Sequence, residues 1–287
     1  MNGSWRRAVR RDMDPLLDFL LLDETSRVGF SSRFRKARKS HLFFVNRPNG
    51  GPVRDAMLLS EFGLVIPVLA SRERADAALR SLLSDLPCRV TSLMGTAGSV
   101  MALEGLLEMP PSTAIDYHLM AMTRPEFQLG MEARKAAGRE PAGDSWAIRQ
   151  AGPEDMELLF PLQKGYEIEE VALRPELFHE LNCRGILKRC LKEEIVHYAE
   201  REGVAVSKAQ TNSRGYTVDQ IGGVYTRPED RGKGIARAVI RSLLMELFRE
   251  KEAVCLFVKK TNAPAIALYN GLGFQMKDDF RISYYGI

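Results

Sequence analysis

Cysteine is scarce in this chain, and long apolar runs are missing. Only four cysteines occur in 287 residues, Cys88, Cys183, Cys190 and Cys255, scattered without the dense spacing of a disulfide framework. Reduced thiols in a cytoplasm are therefore expected. His179, Cys183, Cys190 and His197 are residue types that ligate metals, but their intervals match neither a zinc ribbon nor a finger, so no metal is expected. No uncharged apolar stretch reaches the ~18 residues of a membrane-spanning helix. The run 16–22 behind the N-terminal arginines is interrupted by Asp18 and lacks a small-residue cleavage site. A soluble protein that is not secreted follows as the expectation.

A strong excess of one charge is lacking too. Lysine and arginine number 41 against 37 acidic residues. The whole excess of +4 lies in residues 1–140, which hold 20 basic and 16 acidic residues, whereas 141–287 hold 21 of each. Arg6, Arg7, Arg10 and Arg11 carry it together with Arg33, Arg35, Lys36, Arg38 and Lys39. Such a cluster suits an anionic surface, but Asp12, Asp14, Asp18, Asp23 and Glu24 interleave and no recognition motif accompanies it. Nucleic acid is not the expected partner.

The length suits two domains, and the stretch 136–144, AAGREPAGD, reads as the linker between them. The expected division is 1–140 and 141–287. Beyond the linker, 146–150 reads as a strand, and Gly152-Pro153-Glu154-Asp155 opens a helix with proline and acids in its first turn. A helix over 177–192 and three antiparallel strands follow, the last over 218–226, with turn signals at Arg201-Glu202-Gly203 and Asn212-Ser213-Arg214-Gly215. From Gly234 the period changes: Ile235, Val239, Leu243 and Leu247 recur every four residues along one helix face. A buried strand over 253–258, a helix over 263–270 capped by Asn262, and a strand over 281–285 complete the half.

The segment from Ile221 to Ala236, IGGVYTRPEDRGKGIA, is the most informative. A strand turns at Pro228 and passes through two glycines straight into the long amphipathic helix. Glycines let backbone N–H groups turn inward, and the helix start adds roughly half a positive charge. Such a turn cradles an anion, and a pyrophosphate fits it. A Walker loop requires Ser or Thr after its lysine, yet Gly234 follows Lys233; the dinucleotide fingerprint requires a third glycine where Arg237 stands. Both nucleotide readings fall, leaving an ordinary tight turn as the bland alternative.

Arg231-Gly232-x-Gly234-Ile235-Ala236 after a strand, followed one strand later by Asn262, Ala265, Leu268, Tyr269, Gly273 and Phe274, resembles the acyl-CoA-binding half of the GNAT superfamily of N-acetyltransferases. The resemblance covers about residues 145–287. It implies an α+β fold, with a mostly antiparallel central sheet splayed at the cofactor site. It further implies acetyl-CoA as cosubstrate, gripped at its pyrophosphate by Arg231, Gly232, Lys233, Gly234, Ile235 and Ala236. Backbone groups of Val224, Tyr225 and Thr226 would pair with the pantetheine arm, Gly222 and Gly223 permitting a bulge, and Asn262 would hydrogen-bond the cofactor.

Acyl transfer to an amine needs a neutral nitrogen, a stabilised oxyanion and a proton for the departing thiolate, whose thiol has a pKa of about 8.5. Tyr269 matches the place where the family often puts that acid, with a packed aromatic as the alternative. A backbone N–H near Val224 or Tyr225 would face the oxyanion. Glu169 and Glu170, with Glu167 beside them in Gly165-YEIEEV, lie where the family's acceptor wall lies and are the candidates to bind or deprotonate the amine; a solvated acidic loop explains them equally well. His197 reads equally as a packing residue, Lys208 and Lys259 as solvated or packed along their stems, and Cys255 as core.

Residues 57–122 repeat the element order of the second half: strand 64–69, helix 75–83, strand 89–93, helix 99–107 and strand 116–122. Ala102-Leu103-Glu104 sits as Ala267-Leu268-Tyr269 does later. The first half thus reads as a degenerate GNAT-like domain whose loop Ser71-Arg72-Glu73-Arg74 has no glycine and whose Glu104 replaces the tyrosine. Packing, or completing the acceptor pocket, is its expected task. An N-acetyltransferase acting by direct attack on a primary amine is the leading expectation. The rival is a noncatalytic acyl-CoA sensor, and self-association stays open.

Overall fold

The computed structural model describes residues 5–36, 41–70, 77–136 and 146–286. The expected linker and the loop at Ser71–Arg74 fall almost wholly outside them. The first half runs β1 (Trp5–Arg7), α1 (Met13–Leu21), α2 (Glu24–Arg35), β2 (Leu42–Asn46), β3 (Asp55–Leu59), β4 (Leu64–Val68), α3 (Ala77–Ser84), β5 (Ser92–Thr96), α4 (Ala97–Glu104) and β6 (Thr113–Thr123). After α5 (Arg124–Ala136) the same order returns. It comprises β7 (Ala147–Gln150), α6 (Met156–Tyr166), α7 (Glu180–Glu193), β8 (Val196–Arg201), β9 (Val204–Arg214), β10 (Val218–Thr226), α8 (Ile235–Leu247), β11 (Ala253–Lys259), α9 (Ala263–Leu272) and β12 (Gln275–Tyr284). The repeat begins earlier than residue 57, since β1, α1, α2 and β2 match β7, α6, α7 and β8 in order.

All the strands share one sheet of 12, in the order β1-β2-β3-β4-β5-β12-β6-β11-β10-β9-β8-β7. The two halves interleave at its centre: β12 lies between β5 and β6, and β6 lies between β12 and β11. Each half therefore gives its last strand to the other. Phe280 faces Tyr117 across the middle pair. Among the described residues, only β4 with β5 and β10 with β11 run parallel, so the sheet is mostly antiparallel, as expected.

The predicted helix face of α8 is the observed one. Ile235, Val239, Ile240, Leu243, Leu244 and Leu247 are buried against β8, β9, β10 and β11, and truncating such a leucine to alanine costs about 2–5 kcal/mol. α5 starts with a capping box, Thr123 and Glu126 exchanging hydrogen bonds. Its Phe127 stacks on Phe248 just after α8 at 4.9 Å, tying the halves together. A cluster of Val28, Leu119, Ala121, Val218, Ala253, Cys255 and Phe280 joins them again across the sheet. Cys255 is core, as anticipated, and burial pushes its thiol pKa up.

Several boundaries differ from expectation: β5 spans Ser92–Thr96 rather than 89–93, α4 spans Ala97–Glu104 rather than 99–107, and β6 begins at Thr113 rather than at 116. α7 begins at Glu180 rather than at 177, because His179 caps it by accepting from the Asn182 amide and Pro175–Leu177 forms a separate tight turn. β12 begins at Gln275 rather than at 281. Its first residues, QMKDDF, show no alternation because the strand pairs with β6 through a bulge between Met276 and Asp278.

Candidate active site

β10 and β11 begin as parallel neighbours and then part. Their register runs only from Val218–Ala253 to Ile221–Leu256, after which β11 continues beside β6 as far as Lys259. A β-bulge in β10 bends it away at this point. Gly222 pairs with Gln210 and Tyr225 with Lys208, so two residues, Gly223 and Val224, oppose the single Ala209. Gly223 has φ of 56°, and a Cβ there would press on the Gln210 side chain at 2.7 Å. Both constraints demand glycine. Val224, Tyr225 and Thr226 thus lie along the gap where β10 has no ladder partner on β11.

At the end of this stretch a turn at Pro228–Asp230 leads to Arg231, Gly232, Lys233, Gly234, Ile235 and Ala236. Gly232 and Gly234 take φ of 76° and 81°, with open space where their Cβ atoms would be. Among the described residues, no acceptor serves the amides of residues 232–236. They form a concave row at the N-terminus of α8, where the helix dipole adds positive charge. Lys233 Nζ is turned to the Glu229 carbonyl at 2.7 Å and to Asp230 at 3.1 Å. Asp230, buried, also binds Arg227 at 2.6 Å and Arg201 at 3.0 Å. Burial alone would raise its pKa, but these cations outweigh it and hold the carboxyl below its ordinary value. The donor set fits a phosphate, with the backbone as the chief donor.

The three glutamates occupy one π-helical turn, Glu167–Val171, that closes α6. Each meets different company. Glu169 accepts from the Tyr225 hydroxyl at 2.5 Å and the Arg231 guanidinium at 2.6 Å. Burial works against its charge, yet these bonds prevail and its pKa is lowered. This departs from the expectation of Glu169 as a base, since a salt-bridged carboxylate is a weak proton acceptor. Glu170 accepts from Asn262 Nδ2 at 3.2 Å and lies 3.5 Å from Lys259 Nζ. Glu167 is half-buried, and burial raises its pKa despite a 2.7 Å hydrogen bond from Gln163 and the nearby Lys208.

Asn262 uses its Oδ1 to cap α9 through the Ala265 amide at 3.1 Å, as its sequence position indicated, and its amide nitrogen serves Glu170. Both bonds are internal to the protein. Tyr269 is buried, packed edge-on to Phe274 at 5.9 Å. Burial, reinforced by the Glu170 charge, raises its pKa and keeps its proton in place.

Near the bulge lie Lys208, expected to be solvated or packed along its stem, and two residues not singled out in the sequence, Tyr166 and Tyr117. Lys208 takes the packed alternative and is wholly buried, its Nζ donating to the Gly223 carbonyl at 3.0 Å and to Gln210 at 2.9 Å. A lysine in the middle of Ala-Val-Ser-Lys-Ala-Gln, a β-rich run, was the available signal. Tyr166 ends α6, and its hydroxyl oxygen lies against the Gly223 amide. Tyr117 arrives on β6 from the first half, paired with Lys259. Burial raises its pKa, as do the charges of the neighbouring Tyr284, Tyr166 and Glu170. His197 bridges Ser242 at 3.0 Å and Glu246 at 2.7 Å, fastening β8 to α8 away from this cleft.

The first half differs at the matching place. Glu104, the counterpart of Tyr269, accepts from Arg281 at 3.0 Å and from Ser283 on β12. It serves as a brace between the halves. A cavity of about 220 Å³ opens there instead, between α2, β4, β5 and β12, and includes Arg27, Thr96, Ser99 and Asp278.

Comparison with known proteins agrees with this fold. Residues 201–282 match the family model described as FR47-like protein. Over 83 residues, 28% of the chain, the sequence is 36% identical to a mycothiol acetyltransferase of Acidothermus cellulolyticus. The match spans 25% of that relative's length. A solved Drosophila protein superposes with a TM-score of 0.69 at 13% identity, covering 99% of both chains. A tandem GNAT protein from the clavulanic acid biosynthesis pathway gives 0.60 at 15% identity, covering 100% of this chain and 99% of its own. A GNAT-family acetyltransferase from Colwellia psychrerythraea gives 0.55 at 12% identity, covering 99% and 100%. The chain has the GNAT acetyltransferase fold, and the FR47-like segment lies in the half that holds the parted strands.

Proposed function

We propose that the second half is an acetyl-CoA-dependent N-acetyltransferase that acts on a primary amine by direct attack, without a covalent enzyme intermediate. One observation carries the reading: β10 and β11 part after Ile221 beside a row of unpartnered amides at residues 232–236. The relative from Acidothermus and the GNAT neighbours supply the acetyl chemistry by analogy.

In this reading the amides of Gly232, Lys233, Gly234, Ile235 and Ala236 hold the pyrophosphate, and Val224, Tyr225 and Thr226 offer backbone groups to the pantetheine arm. Acetyl-CoA supplies an activated acyl group with a thiolate leaving group. Glu167 takes the amine's proton, because burial raises its pKa, whereas the bonds from Tyr225 and Arg231 lower that of Glu169. Glu170 and Glu169 shape the acceptor wall, Glu170 attracting the acceptor's cationic form. Tyr269 retains its proton and donates a hydrogen bond to the departing sulfur. Cys183, pushed up to about 11 by burial, and the more deeply buried Cys255 are unsuited to carrying the acyl group.

Calorimetry with acetyl-CoA, followed by thiol release across a panel of small amines and peptides, tests the reading. Binding with amine-dependent release is expected. Tight binding without release would make the chain an acyl-CoA sensor, and absence of binding would remove the proposal.

A further inference from the structure

Beneath the bulge lies a cation that no step above uses. Lys208, central in β9, has no exposed surface, and its Nζ bonds the Gly223 carbonyl at 3.0 Å. Taking an ammonium out of water is costly unless it is well bonded. Its placement under this particular carbonyl has a chemical consequence. The Gly223 carbonyl and the Val224 amide belong to one planar peptide group. A cation at that oxygen withdraws electron density from the nitrogen and strengthens its N–H as a donor, as in any hydrogen-bonded chain. On the other side, the Tyr166 hydroxyl oxygen lies near the Gly223 amide.

We propose that Lys208 is a positioning residue for acyl transfer: it holds and polarises the Gly223–Val224 peptide so that the Val224 amide is aimed at the thioester carbonyl oxygen. This rests on the acetyl-CoA reading of the cleft. Catalysis gains most from donors fixed in advance where negative charge develops, and the amide of a peptide whose carbonyl is bound by a buried ammonium is such a donor. The groups facing the ammonium are Gln210 on β9, Tyr166 on α6 with its ring 5.3 Å away, Glu167 on the π-helical turn, Cys183 and Cys190 on α7, and Tyr225 across the ladder. Burial lowers the ammonium to about 8, the carboxylate and the two thiols opposing the shift. As pH rises through that value the charge is lost, and the polarisation fades with it.

Infrared difference spectroscopy of acetyl-CoA, isotopically labelled at the thioester carbonyl carbon, reads the effect without an acceptor. In the wild type the carbonyl stretch is expected to move to lower frequency on binding, and this shift should shrink as pH is raised from ~7 to ~9. Lys208→Met, at full saturation, should lose more than half of the shift and show no pH dependence. An undiminished shift in Lys208→Met, or a wild-type shift that ignores pH, overturns the proposal. Calorimetry separates the two readings: no acetyl-CoA binding by the wild type removes both, whereas binding in both proteins with equal shifts removes only the role of Lys208. Should Lys208→Met fail to fold, the wild-type pH series decides alone.

Discussion

Three glutamates within four residues differ chemically because their neighbours differ. Glu169 is bonded by Tyr225 and Arg231, Glu170 by Asn262, whereas Glu167 is set against the buried interior. Glu167→Gln is therefore expected to lower kcat by about 10²–10⁴-fold, the usual contribution of a positioned base. The acidic limb of the wild-type pH–rate profile should lie above the ordinary carboxylate range, since burial raises this pKa, and should vanish in the variant. An unchanged profile would exclude Glu167 as the base. Tyr269→Phe should lower kcat by about 10²-fold with little change in the KM for acetyl-CoA; a change in KM alone would make the tyrosine a packing residue. The glutamates were visible in the sequence as candidates. Their separation into different roles was not, because pKa depends on burial and on partners from β10, the loop and α9.

At the scale of elements, the strand, turn and helix from Val218 to Leu247 were legible because each has a local cause. Alternation and β-branched residues mark β10, Pro228 sets the turn, and apolar residues every four positions mark α8. The bulge at Gly223 was legible too, from paired glycines in a strand. Gly234→Ala isolates the loop's backbone requirement, since its Cβ would meet open space and only the φ of 81° resists it. The left-handed conformation costs alanine about 1–2 kcal/mol, so acetyl-CoA binding by calorimetry should weaken about tenfold while the fold persists. Unchanged affinity would show that this turn does not hold the pyrophosphate. The early start of β12 was not legible, because its polar first residues are ordered by a strand from the other half.

At the scale of the molecule, the halves are bound by exchange of strands and by one buried carboxylate. Glu24 on α2 accepts from the amides of Tyr216, Thr217 and Val218 at 2.7, 2.7 and 3.1 Å, and from the hydroxyls of Ser31 and Thr217. Burial opposes its charge, but these donors prevail and its folded pKa is lowered. The stability it contributes is thus present above its unfolded pKa and lost as pH falls through the lowered folded value. Glu24→Ala should cost about 3 kcal/mol by orphaning buried amides and should flatten the acid side of the Tm–pH curve; an unaltered curve would deny Glu24 this role. Residues 146–286 expressed alone would lack β6 between β11 and β12. Aggregation or strand-swapped association is expected on size-exclusion chromatography, with a soluble complex recovered when residues 1–136 are co-expressed. A stable monomer of the isolated segment would contradict this.

The sequence by itself determined the local elements, the repeated order and the glycine-bearing turn before α8, since periodicity, glycine and proline act over a few residues. Tertiary structure decided which strand lies beside β11, why Tyr117 of the first half meets Lys259 of the second, why Lys208 is buried, and why burial raises the pKa of Glu167 while partners lower that of Glu169. Those outcomes depend on burial and on charges that meet only across the sheet. They involve residues far apart in the chain, and no spacing along it encodes their distance in space.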